Sequence, residues 1–381
     1  VTEAQSDRSE IGNLGVKHLF FCCTLAFVQQ VIFCCIHSKV ELMQITSHSR
    51  AAQVAYQDLL HLHQDEAASE LIGSVEERHR NGRVYLYDKF RIGTEMKSRY
   101  LGEGTDELRT RLAKAEALKL AAAERRETMA RLARVLRAEG FMATDRDTGS
   151  LLMAFSRAGV FRLGGTLVGT AAYALYQGEL GVRFDSEELA QTGDIDFASF
   201  ERLSVALGDR VEDEPGDILQ SLKFDPVSGL EGRQVWKWRQ NRGTAMVEFL
   251  TAAFGEETVK PLPALGVSAQ ALKYLNFLIA EPIPAVALYR SGVLVQIPRP
   301  ERIAIHKLIV ADRRKAGPDQ AKARKDRGQA AFLVRVLAED RPDDLREAYR
   351  DALSRGPRWR ERIEASLKRL PETEAILRAL T

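Results

Sequence analysis

Cysteine is all but missing. The four present, Cys22, Cys23, Cys34 and Cys35, fall in one short stretch, and the rest of the 381-residue chain has none. Adjacent pairs of this kind lack the spacing of a zinc ribbon, and a disulfide framework would spread through a domain. The body of the chain therefore needs neither disulfides nor thiolate metal sites, a composition that suits the cytoplasm. An excess of charge is missing as well: 55 Lys and Arg stand against 53 Asp and Glu, a formal +2. Overall charge gives no pull toward nucleic acid, so any basic surface must be local. There is no internal repeat, so each segment has to be read on its own. Long apolar runs are absent but for Leu19 to Ile36, interrupted only by Thr24, Gln29 and Gln30. That run has the length of a marginal membrane anchor or a signal h-region, but no small-residue cleavage site follows it. With Val1 at the start and Met43 just downstream, residues 1–42 are read as a non-native or mis-started extension, a real anchor being the alternative. No membrane partner is expected.

What is there is the composition of a soluble globular protein, 45% apolar and 28% charged, with length for two or three domains. From Gln44 to Leu71 apolar residues at Val54, Leu59, Leu60 and Leu62 predict a helix. Gly82–Gly93 and Lys97–Leu101 alternate β-formers with Lys89, Arg91, Lys97 and Arg99 and predict paired strands. Their cations would either hold phosphates or form the solvated face of a small sheet. Asp106 to Glu139 holds no Pro or Gly and predicts one long helix, or two closely joined. Short apolar runs follow: Val160–Leu163, a strand Asp194–Phe197, and a hairpin Gln234–Arg239 with Thr244–Thr251. A further hairpin joins Ala285–Tyr289 to Val293–Ile297. After Pro300 the pattern is helical, over Glu301–Arg314, Gln320–Ala338, Asp343–Ser354 and Trp359–Leu370.

Three features with chemical content arrive in order. Gly164-Gly165-Thr166 sits between a short apolar strand and a predicted helix, where glycines admit phosphate oxygens to the backbone and a helix N-terminus favours anions. Asp194 and Asp196 are two apart on a strand and so share a face; side by side, two carboxylates need a cation between them. Glu248 interrupts the apolar run Met246–Leu250, where a carboxylate either ligates metal or faces outward. Each feature alone is weak, and an Asp-x-Asp also serves glycosyltransferases that bind sugar nucleotides through Mn²⁺. In this order they are specific.

The stretch Arg162–Tyr173 with Thr192–Phe197 resembles the bacterial nucleotidyltransferase-fold proteins of the DNA polymerase β superfamily, and more distantly the AbiEii-type toxins of abortive-infection and toxin–antitoxin systems. The likeness runs from about Arg83, through Pro300–Val310, to Ala331. It implies an α/β (α+β) fold with a mixed-sheet nucleotidyltransferase core. With the segments read above, the chain divides into an apolar extension 1–42, an N-terminal helix and β-hairpin unit with a long linking helix 43–150, the core 151–260 and a mostly helical C-terminal domain 261–381. It also implies transfer of a nucleoside monophosphate from an NTP to a hydroxyl of RNA, protein or a small molecule, with Mg²⁺ or Mn²⁺ held by Asp194, Asp196 and Glu248. Gly164, Gly165 and Thr166 would hold the triphosphate, Lys307 would contact phosphate, and Asp326 matches an acidic residue of the family's downstream helix. The setting implied is bacterial and cytoplasmic, with an antitoxin-like protein as candidate partner; a non-catalytic nucleotide- or RNA-binding module is the alternative. Two departures stand out: the insertion Gly178–Gln191 before the aspartates, and glutamate where the third carboxylate is usually aspartate. His306, beside Lys307 on a helix, is expected to point elsewhere and to be a core or boundary residue. The basic cluster Arg313, Arg314, Lys315, Lys322, Arg324, Lys325 and Arg327 is either a solvated helix face or a track for an RNA acceptor.

Overall fold

Where apolar residues recur every second position the chain pairs into sheet, and where they recur every third or fourth it coils. The computed structural model describes residues 45–67, 73–80, 82–92, 95–184, 194–199, 211, 213–227, 234–316 and 318–380. Residues 1–42, with the apolar run, lie outside the described residues, as do residues 185–191 of the 178–191 insertion. By its packing the chain divides into residues 1–46 and Ser47–Thr381, and every described helix and strand belongs to the second unit.

Helix α1 (Arg50–Ala67) lies on α2 (Asp106–Ala138), the single long helix that the absence of Gly and Pro predicts. Tyr56, Leu59, Met129, Ala133 and Leu136 form their shared core, together with Val286 and Leu288. Thr105 caps α2, its hydroxyl accepting from the Leu108 N–H at 3.3 Å, with Asp106 and Glu107 in the first turn where the helix dipole favours them. Between the two helices, β1 (Ser74–Arg80), β2 (Arg83–Ile92) and β3 (Glu95–Glu103) form an antiparallel sheet, one strand more than the expected pair.

The central sheet holds β4 (Thr166–Val168), β5 (Asp194–Ala198), β8 (Met246–Ala252), β10 (Val267–Leu272) and β9 (Val259–Leu262), in that spatial order. Two further strands, β6 (Phe224–Pro226) and β7 (Lys237–Gln240), pair in turn onto the first half of β8. Strands β5, β8 and β10 run parallel, while β4 is antiparallel to β5. One face is closed by α3 (Arg146–Arg157), whose Phe155 packs 4.9 Å from Phe197 and 6.0 Å from Phe249. Asp145 caps that helix, accepting from the N–H groups of Asp147 and Thr148. Because side chains alternate along a strand, burying Ile195, Phe197, Val247 and Phe249 on one side turns Asp196 and Glu248 to the other. Helix α4 (Gly169–Leu180) follows β4, and the short α5 (Pro215–Ser221) precedes β6.

After β10 come the short α6 (Leu275–Leu278) and the expected hairpin, β11 (Ile283–Ala287) and β12 (Val293–Ile297). The rest is helical: α7 (Pro300–Arg313), α8 (Gln320–Asp340), α9 (Pro342–Ser354), α10 (Pro357–Leu367) and α11 (Pro371–Ala379). Four of these open on proline, which lacks the N–H that a first turn leaves unpaired. Pro371 thereby starts a helix of its own that the periodicity had not separated. The mixed-sheet α+β architecture and the helical C-terminal region match the class expected from the sequence.

The strand expected at Val160–Leu163 is a run of turns instead. Gly165 N–H donates to the Val160 carbonyl at 2.9 Å, and Gly164 takes a φ of 88°, which closes that turn. Thr166 therefore opens a strand and not the helix, which starts three residues later.

Candidate active site

The register across the sheet sets one row of side chains. Val168 on β4 is opposite Asp196 on β5, Asp196 opposite Glu248 on β8, and Glu248 opposite Lys237 on β7. Asp194 lies two residues before Asp196, opposite Met246, at a position sharing that face of the strand. Its side chain is outside the described residues. Immediately after Val168 the chain turns into α4 through Gly169, whose φ is 70°. A Cβ at this glycine would stand 2.7 Å from Asp196 Oδ2, so the backbone passes the carboxylate where only glycine fits.

Over this face a cavity of about 350 Å³ opens between the sheet and helices α7 and α8. Asp196 and Gly169 line one side, His306, Lys307, Arg314 and Asp326 the other, with Leu250, Leu272, Leu275 and Ile303 between. The structure thus brings together three of the residues singled out in the sequence: Asp196, Lys307 and Asp326. Lys307 Nζ donates to Asp326 Oδ1 at 2.9 Å with both side chains buried, and Arg314 donates to Oδ2 at 2.7 Å. Burial alone would raise the Asp326 pKa, but the charges of Lys307 and Arg314 outweigh it and hold the carboxyl below its ordinary value. The Lys307 ammonium also lies 5.8 Å from the centre of the Tyr173 ring. Lys325 reaches from α8 to the first turn of α4, donating to Thr170 Oγ1 at 3.0 Å. Its pKa is lowered by burial and then by the nearby Lys307 charge.

His306 and Lys307, at adjacent positions of α7, both line the cavity. The His306 ring is only half-buried by area yet densely surrounded. That burial first, and the neighbouring Lys307 second, push its pKa down to about 3. The imidazole is neutral at physiological pH, a boundary residue able to offer hydrogen bonds but no charge.

Gly164, Gly165 and Thr166 stand elsewhere. None of them lines the cavity. A Cβ on Gly165 would meet the Val160 carbonyl oxygen at 2.7 Å, and the buried Thr166 hydroxyl donates to the Gly164 carbonyl at 3.4 Å. Their local work is to close a turn and start β4, and the segment that meets the carboxylate is Val168-Gly169.

Glu248 faces the same side as Asp196 but is held by the Lys237 ammonium at 2.5 Å, both side chains about a quarter exposed. Among the described residues no group of three or more His, Cys, Asp or Glu side chains stands together as a metal site. In kind the donors suit a hard cation, since Asp196 and Glu248 offer carboxylate oxygen from adjacent strands. Lys237 meanwhile supplies one compensating positive charge.

The basic cluster of α7 and α8 is largely consumed within the chain. Arg313 binds Glu257, Arg314 binds Asp326, Lys315 binds Asp312 and Lys322 stands 4.0 Å from Asp319. The residues that sequence reasoning missed are Gly169, Lys237 and Lys273, the last lining the cavity mouth. No helix among the described residues is long and apolar enough to cross a membrane.

Residues 146–354 match the protein family described as Nucleotidyltransferase, over more than half of the chain. No curated protein and no solved structure matches it.

Proposed function

The chain belongs to this nucleotidyltransferase family, and from that premise we propose that it is a metal-dependent enzyme that moves a nucleoside monophosphate from an NTP to a hydroxyl acceptor. One observation carries the reading: Asp196, two residues from Asp194 and in register with Glu248, faces a cavity that also holds Lys307, Arg314 and His306. Asp194 and Asp196 would hold Mg²⁺ or Mn²⁺, with Glu248 joining them on release from Lys237. When bound, such ions offset phosphate charge and favour ionisation of an attacking hydroxyl. The acceptor hydroxyl gives its proton to solvent, its oxygen forms a bond to the α-phosphorus, the bond to the bridging oxygen breaks, and pyrophosphate leaves with the electron pair. Gly169 lets the backbone pass close to the Asp196 carboxylate, and the cations of α7 and α8 orient the triphosphate. Neutral His306 offers a directional hydrogen bond at the cavity wall. RNA, protein or a small molecule is the acceptor class, and a cytoplasmic toxin–antitoxin or defence setting in a bacterium belongs to the same proposal.

The test is transfer of label from α-³²P-labelled NTP, and not from γ-labelled NTP, to an acceptor in a cell extract. Asp194→Asn with Asp196→Asn removes the charge that recruits cations while keeping volume, so label transfer should vanish with the melting temperature little changed. Persistent transfer by the double variant would overturn the metal assignment. A second reading, a non-catalytic nucleotide- or RNA-binding module, is favoured by the Lys237–Glu248 pair, which already neutralises the third carboxylate. Nucleotide binding without any transfer at all would select it.

A further inference from the structure

A second cleft, of about 470 Å³, adjoins the cavity of Asp196, and Lys273 lines both. Its chemistry differs from that of its neighbour. Three aromatic side chains line it: Phe254, which is 66% exposed, and Tyr274 and Trp359, whose rings meet edge to face at 4.8 Å. Three cations accompany them, Lys273, Arg355 and Arg358, and no carboxylate residue lines it. Arg355 is fixed, held by Asp351 at 2.8 Å with its guanidinium 5.4 Å from the centre of the Trp359 ring. Lys273 and Arg358 are both exposed, and Lys273 has Glu257 beside it, which accepts from its backbone N–H at 2.8 Å and is shared with Arg313. The first turn of α10 adds little to the cleft, since Pro357 has no N–H and those of Trp359 and Arg360 donate to the Gly356 carbonyl at 3.2 and 3.4 Å. Tyr274 has a φ of 72°, uncommon for a bulky side chain, and its hydroxyl accepts from Arg362 at 3.0 Å.

A large exposed ring beside exposed cations is poor design for a surface meant only for water. Phosphates alone would need the cations but not Phe254, and an apolar partner would need the rings but not Lys273 and Arg358. A polymer that alternates flat rings with phosphates uses both. We propose that this cleft binds single-stranded nucleic acid, with bases stacking on Phe254 and Trp359 and phosphates meeting Lys273 and Arg358. The site is assembled from three separate chain segments, unlike the sequence-local basic run on α7 and α8, whose charges are mostly paired internally. Binding stands independently; only the further role of the bound strand as acceptor for the adjoining cavity rests on the transferase reading.

Fluorescence anisotropy of a labelled oligoadenylate of about 12 nucleotides with the full chain tests it, at about 50 and 200 mM KCl. The single strand should bind more tightly than the same sequence in a duplex and resist competition by inorganic polyphosphate. Phe254→Ala should weaken binding about tenfold, the loss of one stacked base. Because this ring is exposed, the fold should survive its removal. Arg358→Gln should lower the slope of log affinity against log salt by about 0.7, one phosphate contact fewer. Asp194→Asn with Asp196→Asn should bind the oligonucleotide unchanged, so that failed transfer and failed binding remain distinct. Absence of binding, equal binding of the duplex, full competition by polyphosphate, or indifference to Phe254→Ala would each overturn the proposal.

Discussion

The buried pair of Lys307 and Asp326 makes a sharp prediction because its two halves are not equivalent. Asp326 is shared: it accepts from Lys307 at 2.9 Å and from Arg314 at 2.7 Å, and its side chain is 4% exposed. Lys307, 7% exposed, has in Asp326 its one carboxylate partner among the described residues, whereas Arg314 is 41% exposed and can turn to water. Asp326→Asn should therefore strand a buried ammonium and cost about 3–5 kcal/mol. Lys307→Met leaves Asp326 with Arg314 and should cost less, about 1.5–3 kcal/mol for the lost charged hydrogen bond. Replacing both, Lys307→Met with Asp326→Leu, removes the desolvation cost with the attraction and should be milder than Asp326→Asn alone. Urea unfolding of the three variants measures these differences directly.

The same geometry fixes a pH dependence. The folded Asp326 pKa lies below its unfolded value of 3.8, so its contribution is complete above that value and is lost as pH falls through the folded one. Acid unfolding below about pH 4 should thus be steeper in the wild type than in the double variant. If Asp326→Asn costs under about 1 kcal/mol, or Lys307→Met proves the more damaging, Lys307 is not held as a buried ion and the reasoning fails.

Gly169→Ala must place a methyl 2.7 Å from Asp196 Oδ2 at a φ of 70° and should abolish transfer, at about 1–2 kcal/mol of backbone strain. Gly164→Ala, with nothing nearer than 3.9 Å, should carry the strain and keep activity in the same radiolabel assay. His306 has a folded pKa near 3, below its unfolded 6.5, so its neutral form stabilises the fold above pH 6.5 and that stability drains as pH falls toward 3. Urea midpoints of His306→Asn should fall less steeply than wild type between these values; parallel slopes would refute the burial argument. Lys237→Met frees Glu248, so the Mn²⁺ concentration needed for half-maximal transfer should drop several-fold if Glu248 joins the metal set, and stay fixed if the glutamate only decorates the sheet.

Much of this architecture was legible because it follows from local rules. Alternation over Asp194–Ala198 and along the hairpin placed the carboxylates on one face, and the lack of Gly and Pro gave the long helix. The glycine that meets the carboxylate was not legible from the Gly-Gly-Thr motif, for a physical reason. Two glycines signal a permissive backbone, but only the pairing of Val168 with Asp196 shows that Gly169, and not Gly164 or Gly165, meets the carboxylate. That pairing crosses the insertion, and no local pattern carries it.

Two other misses were within reach. Once Gln240 to Ala245 is taken as the hairpin turn, the antiparallel register alone sets Lys237 against Glu248. The charge on that glutamate therefore had a partner readable from the sequence. The basic run likewise contains its own counter-charges: Asp312 lies three residues before Lys315, and Asp319 three before Lys322. Only Glu257, which takes up Arg313, comes from a distant strand connection. Counting cations along a helix overstates its pull on phosphate unless the acids one turn away are subtracted first. The same subtraction applies at the cleft of Phe254, Lys273 and Arg358: no carboxylate is among its lining residues, but Glu257 accepts from the Lys273 backbone N–H, so Arg358 carries most of its pull on a polyanion.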